Sequence, residues 1–105
     1  MELRTAPRLG MPVSVLGYGM WGLAGWKDTD DAEVERALDE AAACGVTCFD
    51  TAFAYGDGRS ERVLGNLVRR RAERLFTASK IPPKNRMWPA PAHATLDECF
   101  PADHI

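Results

Sequence analysis

Three side chains that could cooperate in proton transfer lie where predicted strands end. Asp50 and Tyr55 follow the apolar residues 46–49, and Lys80 follows residues 75–79. A free tyrosine phenol has a pKa of about 10 and is a sluggish acid near neutral pH. A positive charge about 4 Å away, at an effective dielectric constant of about 20, would favour the phenolate by roughly 4 kcal/mol. Lys80 could supply that charge, and Asp50 would keep a buried Lys80 protonated.

Each of these residues also has an ordinary structural explanation. Asp50 could cap a turn, Tyr55 could pack in a core, and Lys80 could be a solubility charge at a strand end. Their shared position favours the chemical interpretation, because neighbouring parallel strands lie about 4.8 Å apart. Active sites of parallel sheets also lie at the carboxyl ends of the strands.

The elements that must position these residues alternate between strands and helices. Residues 1–12 predict a small hairpin, residues 13–80 a βαβαβ segment that begins with a strand at 13–16, and residues 81–105 an extended proline-rich loop. Short connections between the strands and helices indicate right-handed βαβ units and a parallel sheet.

The two predicted helices carry apolar stripes and recognisable ends. Asp30 with Glu33 forms a loose capping box for the first helix, and Gly45 ends it. Ser60 is the expected N-cap of the second helix. The apolar stripes contain Val34, Ala37, Leu38 and Ala41 in the first helix and Val63, Leu64, Leu67 and Val68 in the second. Residues 69–71, all arginine, lie where cations favour the helix dipole, which we prefer to a phosphate site.

Residues 17–22 match the pattern G-x-G-x-x-G. In dinucleotide-binding folds this pattern opens a helix directly after a strand. Here residues 23–27 intervene before any helix, and the acidic residue expected about twenty positions later would fall inside a helix. We therefore interpret the stretch as a glycine-lined loop that carries Trp21 at a strand end.

Composition excludes several classes of protein. The net charge of −2 provides no basic field for nucleic acid or an anionic membrane, and no stretch approaches the length of a membrane span or signal peptide. We therefore expect a cytoplasmic protein with neither partner.

The three cysteines fit reduced thiols better than a disulfide framework, because their number is odd and they lack C-x-x-C spacing. Composition alone would allow a zinc site of Cys44, Cys48, His93 and His104. We predict no metal, because Cys44 closes a helix while Cys48 lies in the next strand, and structural zinc requires closely paired ligands.

Taken together, these stretches resemble the N-terminal signature of the aldo-keto reductases over nearly all of residues 9–80. The matching positions are Gly17, Gly19, Trp21 and Gly22; Gly45, Val46 and Phe49 to Ala52; Tyr55 and Gly56; Ser60, Glu61, Leu64 and Gly65; and Ser79 and Lys80. A match in so many parts is far more specific than any single motif within it.

The resemblance implies an α/β fold, the parallel (β/α)8 TIM barrel, with NADPH as hydride donor and a small aldehyde or ketone as substrate. It implies Tyr55 as general acid, Lys80 as the group that favours its ionisation, and Asp50 as the partner of Lys80. Gly19, Met20, Trp21 and Asp50 would contact the cofactor, and Trp21, Tyr55 and Trp88 would line the substrate pocket.

Residues 1–105 would form only the N-terminal part of such a barrel, namely the hairpin and about three strands with two helices. A complete (β/α)8 barrel typically needs about 250 residues. The family's catalytic histidine follows the fourth strand, and neither His93 nor His104 has that context. We therefore expect the 105-residue chain to be inactive alone. The alternative is a truncated or nucleotide-sensing regulatory protein that associates with another chain, and the oligomeric state stays open.

Overall fold

The chain begins with an antiparallel hairpin in a computed structural model that describes residues 1–23, 28–87, 89 and 91–105. Strand β1 (Leu3–Ala6) pairs with β2 (Met11–Ser14). The predicted strand at 13–16 is therefore wrong, and the hairpin extends past residue 12. A turn with Gly10 at φ 62° sets the register that pairs Val13 with Arg4, so Val13 belongs to the hairpin.

Three short parallel strands form the second sheet, in the order β3–β4–β5. They are β3 (Gly17–Gly19), β4 (Cys48–Asp50) and β5 (Phe76–Ala78). Helix α1 (Asp31–Ala43) lies between β3 and β4 in the chain, and α2 (Arg59–Arg70) lies between β4 and β5. The predicted alternation of strands and helices is confirmed, and consecutive strands are neighbours in the sheet.

The core lies between the parallel sheet and its two helices. Phe49 points to this side from the central strand and is fully buried, with the Tyr18 ring centroid 6.0 Å from its own. The buried core consists of Met20, Leu23, Leu38, Ala42, Val46, Phe49, Val63, Leu64 and Leu67. Alternation along β4 then places Cys48 and Asp50 on the opposite face, away from the helices.

At α1 the predicted cap residue Asp30 and the final glycine agree with the structure, but within the described residues no Glu33 hydrogen bond completes a capping box. The start of α2 differs from the prediction. The Asp30 side chain accepts a hydrogen bond from the Ala32 backbone N–H, and Gly45 follows the helix at φ 91°. Helix α2 begins two residues earlier than predicted, because its N-cap is Gly58 at φ 86°. Ser60 is therefore not the N-cap. Its hydroxyl is engaged elsewhere, as described below.

Helices α1 and α2 are joined by ion pairs along their exposed edges. Arg70 lies 2.8 Å from Asp39 and 3.5 Å from Glu35, and Arg59 lies 2.7 Å from Asp31. These contacts support the structural interpretation of the arginines at the end of α2. Because the pairs are partly exposed to solvent, each contributes little to stability.

The described parts of residues 81–105 fold back on themselves, which corrects the prediction of an extended loop. The Lys84 backbone N–H donates to the Cys99 carbonyl at 2.7 Å, and a ring nitrogen of His104 lies 2.7 Å from the Pro82 carbonyl. A short helix, α3 (Leu96–Cys99), begins with the capping box formed by Thr95 and Glu98. The two long-range contacts hold this helix and the residues after it against residues 82–84.

In the described part of the chain, no helix has both the length and the apolar character that crossing a bilayer requires.

Candidate active site

Asp50 and Lys80 form an ion pair at the carboxyl end of the parallel sheet. The register pairs Asp50 on β4 with Ala78 on β5. Lys80 follows Ala78 by two residues. Lys80 Nζ donates to Asp50 Oδ2 at 2.7 Å and to the Thr51 carbonyl at 3.0 Å. The structure therefore contains the Asp50–Lys80 pair that the neighbouring strand ends predicted.

The hydrogen bond with Asp50 is the main reason that the pKa of Lys80 lies above the ordinary lysine value. Partial desolvation acts in the opposite direction, and the nearby Tyr55 contributes less than Asp50. The Lys80 side chain is 53% exposed, so the expectation of a buried lysine is wrong for this structure. The exposure has a topological cause, because among the described residues β5 is an edge strand with β4 as its one neighbour.

Tyr55 stands on the loop that follows β4, close to this ion pair. Its ring centroid lies 5.5 Å from Lys80 Nζ, and the half-buried ring packs against the core. Sheet-like hydrogen bonds continue past the end of β4, since the Phe53 N–H donates to the Lys80 carbonyl at 3.4 Å. The backbone thus holds the loop of Tyr55 against the residue that carries the ammonium group.

A buried hydroxyl pair joins the two ends of this loop. Thr51 Oγ1 lies 2.6 Å from Ser60 Oγ, and both residues are almost fully buried. The Ser60 N–H also donates to the Tyr55 carbonyl at 3.1 Å. Prediction from the sequence missed this pair because it assigned Ser60 to a helix cap. The available signal was that Thr51 and Ser60 both lie within the matched family signature.

The glycine loop after β3 borders the same edge of the sheet. Gly19 is opposite Asp50, and a Cβ added to Gly19 would meet no atom within 4 Å. Met20 is only 3% exposed and donates its backbone N–H to the Asp50 carbonyl at 2.9 Å. A polar contact of Met20 with a cofactor would have to use its backbone carbonyl, which already accepts a hydrogen bond from the Leu23 N–H at 3.0 Å. Trp21 is 64% exposed and begins a single 3₁₀ turn (Trp21–Leu23), which agrees with rejecting the helix-opening motif.

A cavity of about 570 Å³ adjoins these residues. Trp21, Tyr55 and Lys80 line it, together with apolar side chains from the loop after β4 and from residues 81–83. Its size falls within the range of about 300–1,000 Å³ that is typical of small-molecule sites. The structure thus brings two of the three predicted pocket residues together, and the third, Trp88, lies outside the described residues.

Two further residues of the cavity wall come from the folded segment 81–105. Phe100 directly follows α3, and Arg86 lies earlier in the segment, in a turn that begins at Pro83. The guanidinium Cζ of Arg86 is 5.5 Å from the Phe53 ring centroid. Sequence reasoning missed Arg86 and Phe100 because nothing in their spacing indicates that the segment folds back. The aromatic and proline content of the segment was the only available signal.

Within the described ranges, no three or more His, Cys, Asp and Glu side chains are grouped as metal ligands would be.

Comparison with known proteins identifies the family. The model of the Aldo/keto reductase family matches residues 15–99. The chain is 33% identical over 81 residues to pyridoxal 4-dehydrogenase of Microbacterium luteolum, covering 76% of this chain and 24% of that protein. It is 33% identical over 76 residues to aldo-keto reductase YhdN of Bacillus subtilis (strain 168), covering 70% and 23%.

The structural comparison agrees with the sequence comparison. The structure of glycerol dehydrogenase AKR11B4 from Gluconobacter oxydans superposes with a TM-score of 0.65 at 25% identity, covering 76% of this chain and 25% of that chain. The neighbours are (β/α)8 barrels, and the hairpin, three parallel strands and two helices correspond to part of one. The chain spans about a quarter of the length of the relatives that it matches. Residues 1–105 therefore belong to the aldo/keto reductase family of oxidoreductases and carry an N-terminal portion of its barrel.

Proposed function

We propose that the complete gene product containing residues 1–105 is an NADPH-dependent reductase of aldehydes or ketones, with Tyr55 as general acid. The observation that carries this proposal is the arrangement around Lys80 Nζ. It lies 2.7 Å from Asp50 Oδ2 and 5.5 Å from the Tyr55 ring centroid, at the edge of a substrate-sized cavity.

In the proposed reaction Tyr55 donates its hydroxyl proton to the oxygen of the substrate carbonyl. The charge of Lys80 stabilises the phenolate that remains, and Asp50 holds the ammonium group in place. General acid catalysis of this kind typically contributes about 10²–10⁴-fold to the rate. Oxidation of the alcohol uses the same groups in reverse, with the Tyr55 phenolate accepting the proton.

The residues present fit a nicotinamide cofactor. Open space beside Gly19 allows a flat ring to approach the sheet edge next to Asp50, and the exposed Trp21 offers an apolar face. Gly19, Trp21, Asp50 and the backbone of Met20 would hold the ring, and NADPH would supply a hydride when bound. The preference for NADPH over NADH is part of the proposal.

The substrate would be a small carbonyl compound that fits an apolar, partly open cavity. Phe53, Tyr55, Ile81 and Phe100 supply apolar or aromatic walls. Two of the similar proteins are named as dehydrogenases, of pyridoxal and of glycerol. Those names support a reaction that runs in either direction between an alcohol and a carbonyl compound.

Residues 1–105 alone should not turn over substrate. In the part of the chain that the structure describes, the parallel sheet has three strands, and its edges β3 and β5 are unpaired, whereas closing a barrel removes such edges. The general acid would therefore work in a site that has only part of its wall. A cytoplasmic location and a lack of nucleic-acid and membrane partners also belong to this proposal.

A direct test is to express the complete gene product and follow NADPH oxidation with a panel of aldehydes, using NADH and residues 1–105 alone in parallel. We expect turnover with NADPH, less with NADH, and none from residues 1–105. Binding of NADPH without any turnover would favour the alternative of a nucleotide-sensing regulatory protein and would contradict the proposal.

A further inference from the structure

We infer that the cavity takes carbonyl substrates that carry a carboxylate group, which Arg86 binds. The inference rests on the proposed function and adds to it a substrate class and a residue that determines specificity. It comes from the contacts of Arg86 and from the charges on the cavity wall.

A defined turn presents Arg86 to the cavity. The Arg86 backbone N–H donates to the Pro83 carbonyl at 2.8 Å, and the Met87 N–H donates to the Asn85 side chain at 3.0 Å. Arg86 adopts φ 53°, in the left-handed region that few residues other than glycine occupy. Its guanidinium then lies against the Phe53 ring, with 5.5 Å between Cζ and the ring centroid. The side chain is thus directed toward the cavity by its own backbone and by an aromatic neighbour.

The hydrogen-bonding capacity of this guanidinium is largely unused. Its ion partner Asp57 is 3.8 Å away, which is too long for a hydrogen bond, and the Arg86 side chain is 67% exposed. Considering residues 1–23, 28–87, 89 and 91–105, the guanidinium donates no hydrogen bond, whereas Arg59, Arg70 and Arg71 each have a carboxylate within 2.8 Å. A guanidinium has five N–H donors whose fork geometry matches a carboxylate.

Lys80, a second cation on the cavity wall, is already engaged. Lys80 donates to Asp50 and to the Thr51 carbonyl, and it stands beside the proposed acid Tyr55. The carbonyl end of a substrate would therefore lie near Tyr55 and its anionic end near Arg86, with apolar walls between them. A molecule with an apolar body and one charged end fits this distribution.

The charge balance favours a carboxylate over a phosphate dianion. The single negative charge of Asp57 offsets the positive charge of Arg86. A substrate carboxylate also carries one negative charge and could take the place of Asp57 as the partner of Arg86. A phosphate dianion would leave excess negative charge beside the Asp57 carboxylate. Asp57 is thus a competitor, and its removal should strengthen carboxylate binding.

The test uses a matched pair of substrates in the complete gene product. 4-Carboxybenzaldehyde and 4-nitrobenzaldehyde have nearly the same shape and differ in charge. For Arg86→Gln we expect kcat/KM for the carboxylated aldehyde to fall about 10- to 100-fold, the worth of one charge-assisted contact, mainly through KM. For the nitro compound, kcat/KM should change less than about twofold. It has no carboxylate for Arg86 to bind, so losing the contact should not raise its KM.

Further variants separate charge from structure. Arg86→Lys should retain part of the preference, and Asp57→Asn should lower KM for the carboxylated aldehyde. Arg8→Gln removes the same charge from the exposed hairpin turn and should leave both substrates unchanged.

Failure of the inference and failure of the proposed function give different results. If the wild-type protein reduces neither aldehyde, the proposed function fails and the inference fails with it. If it reduces both and Arg86→Gln changes neither, or changes both equally, the inference is wrong while the proposed function stands. A larger effect of Arg86→Gln on glyceraldehyde 3-phosphate than on the carboxylated aldehyde would overturn the choice of carboxylate.

Discussion

The two ends of the parallel sheet are built in opposite ways. At the amino end, Ser14 and Thr47 exchange hydrogen bonds, each backbone N–H donating to the other's hydroxyl at 2.9 Å, and Ser14 is buried. At the carboxyl end, Asp50 and Lys80 pair through side chains that are half exposed, next to an open cavity. The amino end is held by hydrogen bonds of neutral hydroxyl groups. The carboxyl end has charged groups beside a cavity that a small molecule could enter.

The difference separates what holds the fold from what could do chemistry. The Ser14–Thr47 contact ties the hairpin to β4 through short, neutral, partly buried hydrogen bonds, which contribute to stability because an unpaired buried N–H is costly. An exposed ion pair such as Asp50–Lys80 contributes little stability. Its position beside Tyr55 fits the proposed role in proton transfer.

Among the substitutions that test the contrast between the two ends of the sheet, Lys80→Met should have the largest effect, and it should act on kcat. The substitution keeps the length of the side chain and removes the charge beside Tyr55, so we expect kcat of the complete gene product to fall about 10²–10³-fold, as for other preorganised electrostatic groups. The melting temperature should change little. A large loss of stability with an unaltered kcat would mean that the ion pair is structural.

Removing the Ser14 hydroxyl should have the reverse outcome. Ser14→Ala leaves the Thr47 N–H without its acceptor, so we expect the free energy of unfolding to drop by about 1–3 kcal/mol. Chemical denaturation would measure the change. Ser79→Ala is the matched control, because its hydroxyl makes an exposed hydrogen bond to Glu61, and it should cost less than about 0.5 kcal/mol. An equal drop in the free energy of unfolding for Ser14→Ala and Ser79→Ala would contradict the proposed difference between the two ends of the sheet.

The smallest expected effect is a change in the pKa of Lys80, at the carboxyl end of the sheet, when Asp50 is replaced. Because Asp50 raises the pKa of Lys80, the pair contributes stability below the unfolded lysine value of about 10.4 and loses it as the pH rises through the folded value. NMR titration of the Lys80 side chain should therefore give a pKa above that of an ordinary lysine. In Asp50→Asn the pKa of Lys80 should move back toward the ordinary value, and the absence of any such movement would contradict the assigned cause.

Much of the architecture was predictable because its signals are local. The spacing of apolar residues predicted α1 and α2, and Asp30 and Gly45 marked the ends of α1. The pairing of Asp50 with Lys80 followed from two strand ends and the known spacing of parallel strands. These inferences needed only alternation, capping chemistry and the order of elements.

The features that could not be predicted depend on contacts distant in the chain. Val13 joined the hairpin because its pairing with Arg4 depends on the turn at Gly10, not on its own strand propensity. Ser60 bonds to Thr51 across the loop, which displaced the expected cap. Arg86 reached the cavity only because residues 81–105 fold back, and the exposure of Lys80 depends on which strands flank β5.

Tyr55→Phe, compared with Tyr18→Phe, tests the central claim most directly. Both changes remove one hydroxyl, and Tyr18 stacks against Phe49 on the core side of the sheet, away from the cavity. In the complete gene product we predict that Tyr55→Phe lowers kcat for NADPH-dependent carbonyl reduction by about 10²–10⁴-fold, while Tyr18→Phe keeps near wild-type activity. An unchanged kcat in Tyr55→Phe would show that Tyr55 is not the acid.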